Sequence, residues 1–189
     1  MELIIISGRS GSGKSVALRV VEDLGYYCVD NIPLNLLPSL VRSVSDSYNK
    51  IAVSVDVRNL PKEQQQFNEI IEYLPGFTKP TVFYLDSDDQ TLIKRFSETR
   101  RLHPLSIDSL PLDLAIKQEK ILLDVLITRA DFMIDTTDLS VHQLAESIRE
   151  KILGKKDKKL IITFMSFGFK HGIPKEADYV FDARFLPNP

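Results

Sequence analysis

Short apolar runs alternate with stretches of helical periodicity along most of the chain. The first run, Leu3–Ile6, is wholly apolar, which is typical of a strand buried on both faces of a parallel sheet. Apolar residues at helical spacing follow as far as Leu24, and Gly25 is suited to end that helix. Further strands are predicted at 26–29, 51–57, 81–85 and 132–135, and further helices at 34–44, 61–74, after 87, at 112–128 and at 140–153.

This regular alternation predicts an α/β fold, in which an open parallel sheet carries helices on both faces. Two of the predicted helices begin with a capping-box pattern, one formed by Ser87 with Gln90 and the other by Ser140 with Gln143. Gly154 is suited to end the last helix. By residue 153 the sheet and its covering helices are complete.

Residues 154–189 depart from this pattern. A basic linker is predicted over 154–159, and one more apolar run occupies 160–165. A segment of this length does not hold a core of its own, because domains below about 40 residues usually need outside help. The segment either packs on the first domain or opens a second one. We favour the second interpretation and predict one domain over 1–153 and the beginning of another over 160–189, cut off at Pro189.

The turn between the first strand and the first helix has the sequence GRSGSGKS. It fits the G-x-x-x-x-G-K-S pattern of a phosphate-binding P-loop, in which glycines let the backbone curve around the anion and loop amides bind its oxygens. Lys14 is suited to the β- and γ-phosphates, and the Ser15 hydroxyl is suited to Mg²⁺. The predicted fold is therefore a P-loop NTPase or kinase-like sheet. The predicted nucleotide-binding residues in the loop are Gly8, Arg9, Ser10, Gly11, Ser12, Gly13, Lys14 and Ser15.

Asp56 lies at the end of the third predicted strand. In P-loop folds a carboxylate at such a strand end holds Mg²⁺ or its water shell, so Ser15 and Asp56 are the predicted metal ligands. Together with Lys14 they are also the predicted catalytic residues. A residue that caps the following helix would give the same pattern. Arg58 and Asn59 are within reach of a nucleotide in this prediction, although a surface turn would look the same.

A basic loop, residues 100–106, follows a predicted helix and carries Arg100, Arg101 and His103, with Arg95 shortly before it. Arginines over a phosphate would neutralise its charge, as the lids of nucleotide kinases do. Contacts to RNA phosphates and stabilisation of a helix C-terminus stay open as alternatives. Asp30, at the end of the second strand, is a candidate to bind the acceptor of a small-molecule kinase, with a simple turn as an equal alternative.

The bulk composition limits the classes of protein. The chain is 43% hydrophobic and 26% charged with a net charge of -2, which is typical of a globular protein without a global basic field for nucleic acid. Its single cysteine excludes an intrachain disulfide. No apolar run in the sequence reaches membrane-spanning length. We expect a cytoplasmic protein with no membrane partner.

Five segments together resemble the RapZ/YvcJ family of bacterial P-loop nucleotide-binding proteins. They are GRSGSGKS at 8–15, YYCVDNIP at 26–33, DVRN at 56–59, TRRLHPLS at 99–106, and SFGFKHGIP with ADYVFDARFLPNP between 166 and 189. The first segment is generic, whereas the other four together are highly specific. The resemblance covers the whole chain.

The resemblance implies binding of ATP and GTP with weak ATPase and GTPase activity. Its ATP-site motif falls on 8–15 and its GTP-site motif on Asp56, Val57, Arg58 and Asn59. In an enterobacterial member, a C-terminal domain senses glucosamine-6-phosphate and binds small regulatory RNA, which is presented to RNase E and so controls synthesis of glucosamine-6-phosphate synthase. Most of that machinery would lie beyond Pro189.

Two hypotheses of function follow. The first is a regulatory nucleotide-binding module of an RNase adapter, in which ATP or GTP binds with Mg²⁺ and is hydrolysed slowly. The second is a small-molecule kinase that transfers the γ-phosphate of ATP to an unidentified acceptor. The architecture favours both equally, because a fold does not determine a function. Assembly into a homo-oligomer stays open.

Overall fold

The computed structural model describes residues 1–61, 64–106, 110–154, 165–168, 170, 172 and 179–182. The strands are β1 (Glu2–Gly8), β2 (Tyr27–Val29), β3 (Lys50–Ser54), β4 (Lys79–Asp86) and β5 (Phe132–Asp135). The helices are α1 (Lys14–Asp23), α2 (Leu37–Val44), α3 (Gln64–Glu72), α4 (Asp89–Thr99), α5 (Leu112–Leu122), α6 (Asp124–Ile127) and α7 (Val141–Leu153). Short 3₁₀ turns lie at Leu34–Leu36 and Val57–Asn59.

The strands form one sheet in the order β2-β3-β1-β4-β5, and every pair of neighbours is parallel. β1 lies at the centre, between β3 and β4, and its pairing with β4 continues until Gly8 lies opposite Leu85. This central position explains the wholly apolar run Leu3–Ile6, because both of its faces are buried. The predicted α/β fold with a parallel sheet is confirmed.

Alternate residues of β1 belong to two different cores, as the two-residue period of a strand requires. Leu3 and Ile5 lie in a cluster with Phe67 of α3 and with residues of α2 and α6. Ile4 and Ile6 lie in a second cluster with residues of α1 and α7. Helices therefore cover both faces of the sheet, and the carboxyl ends of the strands point towards one edge.

Some predicted boundaries are wrong, and packing explains the largest difference. The predicted helix 112–128 is two helices, α5 and α6, separated at Leu123. Leu123, with φ -85° and ψ -3°, is the C-cap of α5, and Leu123 and Leu126 are both fully buried. The chain turns there because these two leucines fill the core beneath the sheet.

Side-chain caps explain two further differences. β3 ends at Ser54, and Asp56 then caps the 3₁₀ turn by accepting a hydrogen bond from the Arg58 amide. The start of α4 is capped by Asp88 instead of the predicted Ser87, because the Asp88 carboxylate accepts from the Thr91 amide. The predicted capping box at the start of α7 and the glycine that ends that helix are confirmed.

The chain divides into two compact units, Met1–Lys156 and Asp157–Pro189. Of the predicted linker 154–159 only Gly154 is described, and of the predicted run 160–165 only Met165; the remainder of both lies outside the described residues. The predicted domain boundaries stay predictions. Within the described part of the chain, no helix has the length and apolar character needed to cross a membrane.

Gly8 is a position where the fold tolerates no side chain. Its φ is +142°, and a β-carbon there would lie 2.0 Å from the carbonyl oxygen of Leu85. We predict that Gly8→Ala lowers the free energy of unfolding by about 3 kcal/mol or more, because backbone strain adds to a clash with backbone. Urea denaturation measures this loss.

The matched control is Gly25→Ala. Gly25 also has a positive φ, +84°, but no described atom lies within 4 Å of its β-carbon position. The control should therefore lose only the strain energy, about 1–2 kcal/mol. Equal losses of unfolding free energy in both variants would show that the close approach of Leu85 does not exclude a side chain at position 8.

Candidate functional site

The P-loop joins the carboxyl end of β1 to the first turn of α1. Gly13 is the N-cap of α1 with φ +101°, and a β-carbon there would lie 2.6 Å from the Leu144 side chain. The positive φ favours glycine here, because side chains rarely adopt it, and a β-carbon would also displace the end of Leu144. The unpaired amides at the start of α1 and the positive end of its dipole then face whatever the loop encloses.

The P-loop forms one wall of a cleft of about 570 Å³. The other walls come from the carboxyl ends of β2 and β3, from the end of α4 and from the basic loop. The lining residues are Ser10, Gly11, Gly13, Lys14, Ser15, Val16, Asp30, Asn31, Ser54, Asp56, Arg58, Arg95, Phe96, Thr99, Arg101, Leu102 and Pro104. The structure thus brings Lys14, Ser15 and Asp56 together.

Lys14 is held against its own loop. Its Nζ donates hydrogen bonds to the carbonyl oxygens of Gly8 at 2.7 Å and Arg9 at 3.1 Å. Burial lowers the pKa of Lys14 below its ordinary value, although the carboxylates of Glu119 and Asp56 act in the opposite direction. A partly buried ammonium at this point is suited to an anionic ligand, whose charge would favour the protonated form.

Asp56 faces the cleft but is already paired with Arg58. Its Oδ1 accepts from the Arg58 amide at 2.9 Å and from Nε at 3.1 Å, and its Oδ2 accepts from Nη2 at 2.8 Å. Burial acts to raise the pKa of Asp56, but the bonds from Arg58 outweigh it and hold the pKa below its ordinary value. Asp56 therefore stays ionised.

The donor set of the cleft fits Mg²⁺. A hydroxyl on Ser15 and the ionised carboxylate of Asp56 are both hard oxygen ligands, and both line the cleft. Within the described residues, no group of three or more His, Cys, Asp or Glu side chains is arranged to hold a metal. Mg²⁺ held by Ser15 and Asp56 would need phosphate oxygens and water as further ligands, which it commonly uses.

The side chain of Arg9 turns away from the cleft, and its predicted part in nucleotide binding stays a prediction. Its guanidinium is 2% exposed and donates to Asp86 at 2.6 Å, to Asp89 at 2.5 Å and to the carbonyl of Ser87. The Arg9 amide donates to the carbonyl of Leu85 at 3.2 Å. Arg9 thus fastens the first residues of the P-loop to the end of β4.

His103 is likewise not placed as a lid residue would be. The ring is buried beneath the basic loop, and its Nε2 lies 3.0 Å from Oε2 of Glu119. The same carboxylate accepts from the amide of Ser10 at 2.9 Å and from its hydroxyl at 2.7 Å. In this structure His103 is a buried anchor of the loop, and its predicted phosphate contact stays a prediction.

The three arginines near the basic loop have different surroundings. Arg95 donates to the carbonyl of Gly11 at 3.0 Å and to the carbonyl of Thr136 at 2.6 Å, so it braces the P-loop from the side of α4. Arg95 and Arg101 line the cleft. Arg100 ends α4 in the left-handed conformation, with φ +52°, and is exposed.

Two residues of the DVRN segment, Val57 and Asn59, make contacts within the protein itself. Val57 is 7% exposed and packs into the core on the side of the sheet that holds α2 and α3. The side-chain amide of Asn59 donates to Oδ1 of Asn31 at 2.7 Å and to the backbone carbonyl of Asn31 at 3.1 Å. Asn59 thereby ties the end of β3 to Asn31, which has a strained φ of +54°.

Glu119 and Thr136 are site residues that the sequence analysis missed. Glu119 is an acid that shares the buried stripe of α5 with Ala115 and Ile116, a pattern that marks the position as unusual but does not reveal its partners. Thr136 directly follows β5, and its hydroxyl donates to the carbonyl of Ser12 at 3.0 Å. Its position at the carboxyl edge of the sheet was the only sequence signal for it.

Family models match nearly the whole chain. The model of the RapZ-like N-terminal domain matches residues 1–156, and that of the RapZ C-terminal domain matches residues 160–189. A nucleotide-binding protein of Pseudoalteromonas translucida is 88% identical over all 189 residues, which are 67% of its length. The RNase adapter protein RapZ of Salmonella paratyphi B is 56% identical over 100% of this chain and 66% of its own. The chain thus spans about two thirds of the length of these relatives.

Solved structures with the same fold include small-molecule kinases. Shikimate kinase from Acinetobacter baumannii superposes with a TM-score of 0.54 at 18% sequence identity. The superposition covers 82% of this chain and 95% of the kinase. A sugar kinase from Janibacter has a TM-score of 0.55 at 16% identity, with 82% and 93% covered. At these identities the likeness bears on the fold, and it confirms the predicted P-loop kinase-like sheet.

The pairing of Asp56 with Arg58 predicts that the free energy of unfolding depends on pH. A carboxylate whose pKa is lowered on folding stabilises the protein above its unfolded pKa, and this contribution is lost as the pH falls through the folded pKa. Arg58→Ala should therefore lower the free energy of unfolding by about 1 kcal/mol at neutral pH. The difference between parent and variant should shrink below about pH 4, near the ordinary aspartate pKa.

Arg149→Ala is the matched control for this measurement by denaturation across the pH range. Arg149 lies 3.6 Å from Asp23, and both side chains are well exposed at 46% and 67%. Its loss should cost at most about 0.5 kcal/mol. A pH-independent cost for Arg58→Ala would contradict the assigned pairing.

Proposed function

The chain belongs to the family of RapZ-like proteins, as its sequence segments predicted, and on that premise we propose that it is a nucleotide-binding regulatory module. The ligand is ATP or GTP with Mg²⁺, bound in the P-loop cleft. The cleft supports this proposal, because Lys14, Ser15 and Asp56 line one surface beside the start of α1. The name of the Pseudoalteromonas relative, a nucleotide-binding protein, agrees with it.

The charges around the cleft favour a polyanion. Lys14, Arg58, Arg95 and Arg101 line it, whereas the acidic residues of the lining are Asp30 and Asp56. In this proposal the amides at the start of α1 bind the phosphates and Lys14 leaves the loop carbonyls to meet them. Ser15 and Asp56 would hold Mg²⁺, which would neutralise charge at the phosphates.

We propose that hydrolysis of the nucleotide is slow. A good general base needs a pKa near the working pH. Arg58 holds the pKa of Asp56 below the ordinary carboxylate range instead. Asp56 is therefore suited to binding a metal and poorly suited to accepting a proton from an attacking water. This combination favours a module that binds and senses nucleotide over an enzyme that hydrolyses it rapidly.

The wider role is proposed for the whole protein. One relative carries the name RNase adapter protein, and this chain spans 66% of it. On the family premise we propose that the protein binds small regulatory RNA and RNase E, mainly through its C-terminal part, and thereby controls glucosamine-6-phosphate synthase expression. The net charge of -2 agrees with a local RNA site.

The nucleotide proposal predicts a large effect of Lys14→Ala. Removing a charge that meets phosphate should weaken binding of ATP and GTP by about 10- to 100-fold. Titration of a fluorescent nucleotide with Mg²⁺ measures this change. Arg149→Ala, an exposed change far along the chain on α7, is the control and should bind as the parent does. Equal affinity of the Lys14 variant and the parent would refute the assignment of the P-loop.

A second candidate function is a small-molecule kinase. It is favoured by Asp30, which lines the same cleft as Lys14 and Asp56 and is suited to bind an acceptor hydroxyl. Incubation with labelled ATP and a panel of sugars, nucleosides and small acids separates the two candidates. The regulatory proposal predicts slow release of phosphate without a labelled acceptor, whereas robust transfer to any acceptor would establish the kinase.

A further inference from the structure

Glu119 is a buried carboxylate that touches the P-loop from the side of α5. Its side chain is 0% exposed. An ionised carboxylate in such a place is costly unless hydrogen bonds replace the water it has lost. An apolar residue would have continued the buried stripe of α5 at no such cost. Packing alone therefore does not explain why this position holds an acid.

Three donors converge on the Glu119 carboxylate. The Ser10 amide donates to Oε2 at 2.9 Å, and the Ser10 hydroxyl donates to Oε1 at 2.7 Å. The third donor is the ring of His103, whose Nε2 lies 3.0 Å from Oε2. Three such bonds suit the ionised form, because a carboxylate accepts and does not donate. Glu119 is thus fully engaged between the P-loop and the basic loop.

The hydrogen bond at the second ring nitrogen of His103 indicates which of the two nitrogens carries the ring proton. Nδ1 accepts a hydrogen bond from the Leu105 amide at 3.2 Å. In a neutral imidazole the other nitrogen, Nε2, then carries the hydrogen and donates it to Glu119. The His103 carbonyl also accepts from the Ser106 amide at 2.9 Å. His103 therefore organises the turn that forms the second half of the basic loop.

The basic loop reaches the cleft through the residues on either side of this anchor. Arg101, Leu102 and Pro104 line the cleft, and Leu102 is 82% exposed. His103 between them is 1% exposed and packs against Phe96, with ring centroids 5.1 Å apart. The position of Arg101 over the cleft consequently depends on how His103 is held.

We propose that Glu119 is a positioning residue that couples the basic loop to the P-loop. It fixes Ser10 directly and Arg101 through His103, so a change at the P-loop on nucleotide binding alters the position of the basic loop. Binding in turn is strongest when the loop is held. This coupling rests on the proposed nucleotide binding in the cleft.

The test combines nucleotide affinity with trypsin cleavage at Arg100 and Arg101 in the full chain. In the parent, ATP with Mg²⁺ should slow cleavage severalfold. Glu119→Gln keeps the shape but places an amide among three donors, so affinity for ATP should fall about tenfold. Saturating ATP should then no longer slow cleavage. Asp113→Asn removes an exposed carboxylate from the same helix and should behave as the parent.

A pair of variants at His103 separates coupling from loss of structure. His103→Gln keeps a side-chain N–H donor and should preserve part of the protection by ATP, whereas His103→Ala should lose it. Normal affinity and normal protection in Glu119→Gln would overturn the proposal. So would binding of ATP by the parent without any slowing of cleavage. If Glu119→Gln does not fold, equal protection in the two His103 variants would overturn it.

A failure of nucleotide binding itself is distinguishable from a failure of the coupling. In that case the parent would bind neither ATP nor GTP, and the proposed function would fall. The link between Glu119 and the basic loop would still predict faster cleavage of His103→Ala than of His103→Gln without nucleotide. Equal rates in these two variants would then contradict the link as well.

Discussion

The close approach of the end of β1 to β4 is the constraint on which the P-loop depends. Gly8 lies so near the carbonyl of Leu85 that no side chain fits between them. Directly after it, the guanidinium of Arg9 is buried between Asp86 and Asp89 at the end of β4. The first residues of the loop are therefore fixed by backbone contact and by ion pairs before any ligand arrives.

The rest of the P-loop is braced by three further residues, each from a different part of the chain. Arg95 of α4 bonds the carbonyl of Gly11, and Thr136 after β5 bonds the carbonyl of Ser12. Glu119 of α5 bonds Ser10 on its amide and hydroxyl. Such support holds a binding site in one geometry and reduces what a ligand must reorganise. The contact from Arg95 also joins the loop to α4, whose end lines the cleft, which suits a module that signals occupancy.

Much of this architecture was predictable from local sequence. The apolar run of β1, the GRSGSGKS turn and the capping box of α7 each lie within a short segment with a known physical signature. The roles of Arg9, His103 and Glu119 were not predictable in this way. Their partners lie far away in the chain, as with Ser10 and Glu119, so the pairing follows from tertiary packing that a single sequence does not reveal.

Amide chemical shifts measured during titration with ATP and Mg²⁺ would test the central claim most directly. Binding in the P-loop predicts that the largest changes occur at the amides of Gly11, Gly13, Lys14 and Ser15, with smaller changes at Arg58 and Arg101. Amides on the far side of α7, such as Arg149, should not move. Absent changes in the P-loop at saturating nucleotide, or changes confined to another surface, would contradict the account.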